Sequence, residues 1–349
     1  MRILEHFQLA SGPTGIEAFG SGHINGSFHV LGREEYLLQR INHRVFPDVA
    51  GLMTNIQRVT EHLRGRMARA TDLAEPQLTL QIIPTLDGAL FRRDEAGDYW
   101  RVYTFLGGLH AYDLVEHPDH AYEGARSYGY FLRFLDDFPH ARVVPVLPDF
   151  HNVIVRLRAL EAAAGAAEKD PVLQIRWREC RTDLRRIFEQ ADARCAIQLA
   201  WDKGILKTRV THNDTKFNNV LLTPQGKGKA VVDLDTVMPG IVHFDYGDGL
   251  RTATATAAED EADLQLVGSD PELYRAFTEG YLEVTQDYLS AAERHYLPQS
   301  GALLAYLMAV RFYTDYLRGD VYFGIKHPEH NLLRARNQLR LCAVLAGGI

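Results

Sequence analysis

The stretch Val210-Thr-His-Asn-Asp-Thr-Lys-Phe-Asn-Asn-Val-Leu-Leu222, followed by Ala230-Val-Val-Asp-Leu-Asp-Thr236, decides how this chain is read. It spaces His212, Asp214 and Asn219 as H-x-D-x-x-x-x-N and places Asp233 at the end of an apolar strand. One Asp to accept a hydroxyl proton, then an Asn and a second Asp to hold a metal, is the set that phosphoryl transfer from Mg-ATP requires. Val210-Thr211 reads as a strand end that projects the polar residues into a cleft. Asp214 is then the candidate base, and Asn219 a candidate Mg²⁺ ligand through its amide oxygen. Lys216 lies between them, suited to neutralising charge on the γ-phosphate, and His212 to packing the loop. Val220-Leu221-Leu222 pairs back on Ala230-Val231-Val232 through the turn at 224–229. That hairpin brings Asn219 and Asp233 to one end, where both reach a single metal.

Asp235, Asp245 and Asp248 make the region acidic. Caps or loop anchors are the expectation for the first two, and Asp248 is expected to anchor the catalytic loop by accepting backbone N–H bonds. Asp233-Leu-Asp-Thr-Val237 also fits D-x-D-x-[TV], the start of phosphatases with an Asp nucleophile. Those chains continue into a helix of an alternating α/β fold, whereas Met238-Pro-Gly240 follows here. The phosphatase reading is therefore set aside.

Upstream, Gly20-Ser-Gly-His-Ile-Asn-Gly26 is a glycine-rich turn between two short apolar alternations, Gly15–Gly20 and Ser27–Leu31. Its G-x-G-x-x-x-G spacing is one residue longer than the phosphate-covering hairpin of kinases. Gly20, Gly22, Asn25 and Gly26 are candidate phosphate contacts, with His23 and Asn25 at the tip facing phosphate or substrate. A kinase also needs a third-strand Lys paired with a helix Glu. Tyr36–Ile41 has none: Gln39 or Arg40 takes its place, and strand alternation lets only one face the cleft. Glu61 is the candidate helix acid.

Residues 15–105 read mostly as strand. The exception is a helix over Asp48–Arg66, apolar at Leu52, Ile56, Val59 and Leu63 with Asp48 as N-cap. Further strands are expected at Leu78–Ile83, Ala89–Arg92 and Tyr99–Phe105, with Asp-Gly and Ala-Gly turns between them. After Gly107-Gly108 helical periodicity takes over at Asp119–Phe138, Asp170–Trp201, Pro271–Leu289 and Ala291–Asp320. Alanine-rich 159–169 is expected to be an exposed helix or connector. The expected fold is α+β and bilobal, protein-kinase-like: an N-lobe at 1–106 with an antiparallel sheet and one main helix, then a mostly helical C-lobe at 107–349 with the catalytic hairpin. Tyr103 and Phe105 mark the hinge.

The chain has 349 residues, 46% hydrophobic and 24% charged, enough for two lobes with a core each. A net charge of −7 argues against a general nucleic-acid binder. The three cysteines form no CxxC pair, and free thiols in a reducing compartment are expected. Charges in Met1–Phe7 break any signal-peptide core, and the longest apolar run, 302–310, is too short for a membrane span. A cytoplasmic enzyme without nucleic-acid or membrane partners is the expectation.

With these residues in view, the chain resembles the aminoglycoside phosphotransferase/choline kinase superfamily, and within it the bacterial N-acetylhexosamine 1-kinases. The likeness rests on Thr14-Gly-Ile-Glu17, Gly22-His-Ile-Asn25, Phe46-Pro-Asp48, Trp100-Arg-Val-Tyr103, Thr211-His-Asn-Asp-Thr-Lys216, Val232-Asp-Leu-Asp-Thr236, Met238-Pro-Gly240, and Arg311-Phe through Asp315-Tyr-Leu, Gly319-Asp320 and Tyr322-Phe323. It implies ATP- and Mg²⁺-dependent phosphorylation of the anomeric (C1) hydroxyl of GlcNAc or GalNAc. Asp214 matches the family base, and Asn219 and Asp233 its metal ligands. His23, Arg311 and Tyr322 match positions that line the sugar site. The missing third-strand Lys is typical of the subgroup. The alternatives are a kinase of this fold acting on another small alcohol (a different hexose, an amino alcohol or an aminoglycoside) and a silent nucleotide- or sugar-binding protein.

Overall fold

The computed structural model describes residues 2–20, 24–70 and 77–347. Its N-terminal part is an antiparallel sheet of β1 (Gly15–Ala18), β2 (Gly26–Leu31), β3 (Tyr36–Ile41), β4 (Ile82–Ile83), β5 (Arg92–Arg93) and β6 (Tyr99–Thr104). The strand order is β1-β2-β3-β6-β4, with β5 also on β6. Strand alternation divides the sheet. Val30, Tyr36, Leu38, Trp100 and Val102 pack on one face beneath Ile3, Leu4 and Phe7 of the N-terminal segment. The opposite face carries a polar row: Ser27 lies beside Gln39 and Gln39 beside Arg101, across β2, β3 and β6.

Helix α1 (Val49–Met67) starts at Asp48, whose Oδ1 accepts from the Gly51 N–H at 2.8 Å. Leu52, Met53, Ile56, Val59 and Leu63, spaced for one face, are buried in a core that also contains Ile41 and Tyr103 of the sheet and Ala121, Ala125 and Phe131 of the next helix. The largest apolar cluster therefore joins sheet and helices, besides the separate clusters on the other face of the sheet and around the later helices. The turns at Gly88 and Gly97 have positive φ, as Asp-Gly and Ala-Gly turns need. Of Leu78–Ile83 only the last two residues are strand; the Leu78 N–H bonds to the Lys229 carbonyl at 2.7 Å, which draws that segment toward the catalytic hairpin.

The remainder is α2 (Pro118–Phe134), α3 (Val153–Lys169), α4 (Gln174–Glu189), α5 (Ala191–Asp202), β7 (Arg209–Thr211), β8 (Val220–Leu222), β9 (Gly228–Val231), β10 (Met238–Gly240), α6 (Val242–Thr254), α7 (Pro271–Thr285), α8 (Ala291–Tyr296), α9 (Ser300–Leu317) and α10 (His330–Ala346). The long helix expected over 170–201 breaks at Gln190, and that over 291–320 breaks around Pro298, which cannot continue an interior helix. Alanine-rich α3 is half-buried, with Leu160, Ala163 and Ala167 in the second core beside α9. Helix α9 is the centre of that core: every residue is buried except Arg311. Among the described residues no helix is long and apolar enough to cross a membrane. The whole is a mixed α/β, protein-kinase-like architecture.

Candidate active site

The catalytic loop leaves β7, which pairs with β10, and is tied down from three sides. The Asp245 carboxylate, in the first turn of α6, accepts the N–H groups of His212 at 2.9 Å and Asn213 at 2.7 Å. Burial pushes the Asp245 carboxyl up to about 6. Asn213 takes a left-handed backbone (φ +64°), which its short polar side chain tolerates, and its Nδ2 donates to the Thr236 carbonyl at 3.1 Å. Gly240 is required opposite: a Cβ there would stand 2.3 Å from Thr211 Oγ1 and 2.8 Å from Asn213 Oδ1. His212 Nε2 donates to the Val232 carbonyl at 2.8 Å, and its Nδ1 accepts from the Asp214 N–H at 3.3 Å. Its hydrogen bonds are thus spent on packing the loop. Asp248 does not anchor the loop as expected; one turn along α6 from Asp245, it pairs with Arg251 at 2.7 Å. Position within the first turn decides which acid reaches the loop.

Asp214 emerges half-buried, with Lys216 Nζ 3.1 Å from Oδ1. Burial would raise the Asp214 carboxyl, but the Lys216 charge and hydrogen bond, with His212 and His151, together outweigh it, and the group sits below its ordinary value. A carboxylate held ionised beside a cation can accept a hydroxyl proton. Asn219 Nδ2 donates to the Asp214 carbonyl at 2.8 Å, which leaves Oδ1 turned the other way. The hairpin forms with Val220 opposite Val231, and the Val232 N–H bonds to the Asn219 carbonyl at 2.9 Å. Asn219 and Asp233 therefore share one end.

Asp233 has a left-handed backbone (φ +58°), and its carboxylate makes no hydrogen bond or ion pair with any described residue. The surrounding protein, then the charges of Asp235 and Asp214, push its carboxyl up to about 7. The residue stays open to solvent, which softens that shift. Two oxygen donors, one amide and one carboxylate without a counter-ion, suit a hard divalent cation completed by phosphates and water. No trio of His, Cys, Asp or Glu among the described residues forms a complete cage, as that chemistry needs none.

Of the expected phosphate contacts, Gly22 and His23 lie outside the described residues. Gly20 has φ +80° at the end of the first strand, and Gly26 is already in β2, paired with Arg40. Asn25 does not face a phosphate position: its Nδ2 donates to Asp235 Oδ2 at 2.6 Å, and its Oδ1 accepts from the Asn42 N–H at 3.0 Å. Both ends of the amide are occupied. Arg40 is exposed and reaches Asp98 at 3.4 Å, so it turns away from the catalytic loop, while Gln39 lies on the loop-facing side. Glu61 is exposed on α1 and holds no strand residue. Tyr103 is buried in β6. Phe105, just beyond it, stacks on His29 at 3.8 Å.

On the far side, Arg311 projects from α9 over three rings. Its guanidinium carbon stands 4.7 Å from the Phe150 ring centre, 5.3 Å from Phe323 and 6.0 Å from Tyr322. Tyr322 is half-exposed, and its N–H bonds to Asp315 at 2.8 Å. Arg156 approaches Phe150 from α3, with Nε donating to its carbonyl at 3.1 Å. Burial, then the neighbouring Arg311, lower the Arg156 guanidinium to about 10. Neither arginine has a carboxylate within ion-pair distance among the described residues. Next to Phe150, His151 Nε2 meets the Asn213 carbonyl at 2.8 Å, which joins this surface to the Asp214 loop. Sequence reasoning missed Arg156, His151 and Arg101. For Arg101 a signal exists, because strand alternation sets it on the same face as Tyr103.

The family model described as the phosphotransferase enzyme family matches residues 15–293. Among solved structures, an aminoglycoside phosphotransferase from Alicyclobacillus acidocaldarius superposes with a TM-score of 0.64 at 15% identity, covering 99% of this chain and 95% of that one. Spectinomycin phosphotransferase in complex with ADP and spectinomycin gives 0.58 at 13% identity, covering 99% and 96%. Choline kinase from Cryptosporidium parvum gives 0.54 at 14%, covering 93% and 88%. At these identities the structures speak for the fold, and the family model for membership: the chain belongs to the phosphotransferase enzyme family.

Proposed function

We propose that this enzyme transfers the γ-phosphate of ATP, with Mg²⁺, to the anomeric hydroxyl of an N-acetylhexosamine, giving the sugar 1-phosphate. The observation that carries the reading is the Asp214 carboxylate, kept ionised by Lys216 and set between the donors Asn219 and Asp233 and the Arg311 surface. An anomeric hydroxyl is more acidic than a simple alcohol, so a carboxylate of low pKa suffices to take its proton as the bond to phosphorus forms. Lys216 stays close enough to offset charge on the transferred group. Asn219 Oδ1 and Asp233 would hold Mg²⁺, which when bound neutralises phosphate charge. The remaining rate gain comes from positioning. The division at 106/107 follows from this reading, with residues before it covering the nucleotide and those after it supplying the base and the acceptor site.

The acceptor side favours a sugar over an amino alcohol or an aminoglycoside. Two guanidiniums without carboxylate partners flank Phe150, which disfavours a cationic acceptor. Arg311 offers N–H donors to hydroxyl or acetamido oxygens, and Tyr322 and Phe323 offer the apolar face that a pyranose ring needs. A panel of GlcNAc, GalNAc, glucose, choline, ethanolamine and an aminoglycoside with Mg-ATP tests this, with the phosphate position read by phosphorus NMR. The expected product carries phosphate on C1 of an N-acetylhexosamine. Phosphate at another hydroxyl, or turnover of the amines alone, sinks the substrate assignment.

A further inference from the structure

The helix acid that would partner a third-strand lysine is exposed here, and the lysine itself is absent. The charge in the sheet comes from the next strand instead. Arg101 is 2% exposed, and its guanidinium grips the Asp235 carboxylate with both Nη atoms, Nη2 at 2.9 Å from Oδ2. Asp235 lies two residues beyond Asp233, in the turn that also holds the catalytic loop through Thr236, whose Oγ1 donates to the His212 carbonyl at 2.7 Å. Arg101 Nε donates to Gln39 Oε1 at 3.0 Å, and Gln39 Nε2 donates to Ser27 Oγ at 2.9 Å. A hydrogen-bonded row thus crosses three strands and ends on Asp235. Asn25, at the root of the glycine-rich turn, reaches the same carboxylate at 2.6 Å.

We propose that Arg101 is a positioning residue for the metal-binding turn, a different use of sheet charge from the third-strand lysine that holds phosphates in other kinases. Through Asp235 it fixes the left-handed Asp233 against the sheet. It also satisfies one of two neighbouring carboxylates, so that Asp233 alone is left for a cation. Asn25 ties the start of β2 to the same anchor, which registers that strand to the metal ligands. The inference rests on the Mg-ATP reading above but not on the sugar.

The test is calorimetric titration of ADP, with Mg²⁺ and with EDTA, into wild type, Arg101→Lys, the paired Arg101→Gln/Asp235→Asn, and Asn25→Ala. Melting temperatures establish that each variant is folded. The expected result is a loss of about tenfold or more in Mg·ADP affinity, with metal-free ADP affinity changed by less than about twofold. Wild-type Mg·ADP affinity in the folded variants, or an equal loss with and without metal, overturns the assignment. Should neither Arg101 variant fold, Asn25→Ala decides by the same criterion. A wild-type protein that binds no ADP sinks the kinase reading itself, and this inference with it.

Discussion

The two ends of the catalytic hairpin region hold acids in opposite situations. Asp214, on the loop after β7, has a cation 3.1 Å away and a carboxyl pulled below its usual range. Asp233, after β9, has no ion-pair partner among the described residues; burial, then Asp235 and Asp214, push its carboxyl up to about 7 against the opposing pull of Arg101 and Lys216. One site is complete within the chain and suited to take a proton. The other has more negative charge than its neighbouring cations offset, which leaves it suited to a bound cation. In the proposed function, the difference suits Asp214 to act as base and Asp233 as metal ligand on physical grounds, without reference to motif order.

The sharpest way to break this comparison is to remove the base. Asp214→Asn keeps the shape of the loop, because Asp245 and Asn219 hold its backbone. Turnover is expected to fall by about 10³-fold with nucleotide affinity nearly unchanged, since a positioned base contributes about 10²–10⁴. Normal kcat in this variant would remove Asp214 from the mechanism. Asp233→Asn should act through the metal, weakening Mg²⁺ dependence by on the order of 10²-fold, at least what outer ligand partners cost. The same variant should melt higher than wild type when Mg²⁺ is absent. With a folded-state pKa above the unfolded value, Asp233 contributes stability that is present below about pH 4 and is lost as pH rises through about 7. Scanning calorimetry at pH 8 in EDTA should therefore show a gain of roughly 2–5 °C; a lower melting temperature than wild type would show that Asp233 has a stabilising partner after all.

What is legible in the chain follows from sequence distance. Asp214, Asn219 and Asp233 lie on one hairpin, so spacing and alternation suffice to bring them together. Arg101 and Asp235 are 134 positions apart, and no local pattern announces their contact. Asp245 and Asp248 share one helical face, and only the start of α6 at Val242 tells which one meets the loop. That helix is hard to see beforehand, because Asp245, Gly247, Asp248 and Gly249 interrupt its apolar pattern. Arg311 is readable as a departure from pattern, the lone unburied position on a buried helix. Its companion Arg156 is not, because α3 reads as a solvated, alanine-rich segment.

Lys216→Met tests the left side of the comparison more gently. Asp214 would lose the largest of the charges that offset its burial, so its pKa should rise. The acid limb of kcat/KM against pH then moves to higher pH, and activity near pH 6 falls more than activity at pH 8. An unchanged limb would mean that Lys216 serves the phosphate only.

The smallest effect belongs to β3, where two adjacent polar side chains part company. Gln39 bonds Arg101 on the loop-facing side, while exposed Arg40 reaches half-buried Asp98 at 3.4 Å. A surface ion pair of that length contributes about 0–1 kcal/mol, and nothing in its geometry reaches the catalytic loop. Arg40→Ala should leave kcat and the KM for ATP within about twofold, whereas Gln39→Ala, which unties one end of the Arg101 guanidinium, should raise the KM for Mg-ATP several-fold. The opposite ranking in steady-state kinetics would return Arg40 to the phosphates, and would mean that the sheet turns its other face to the nucleotide when the site fills.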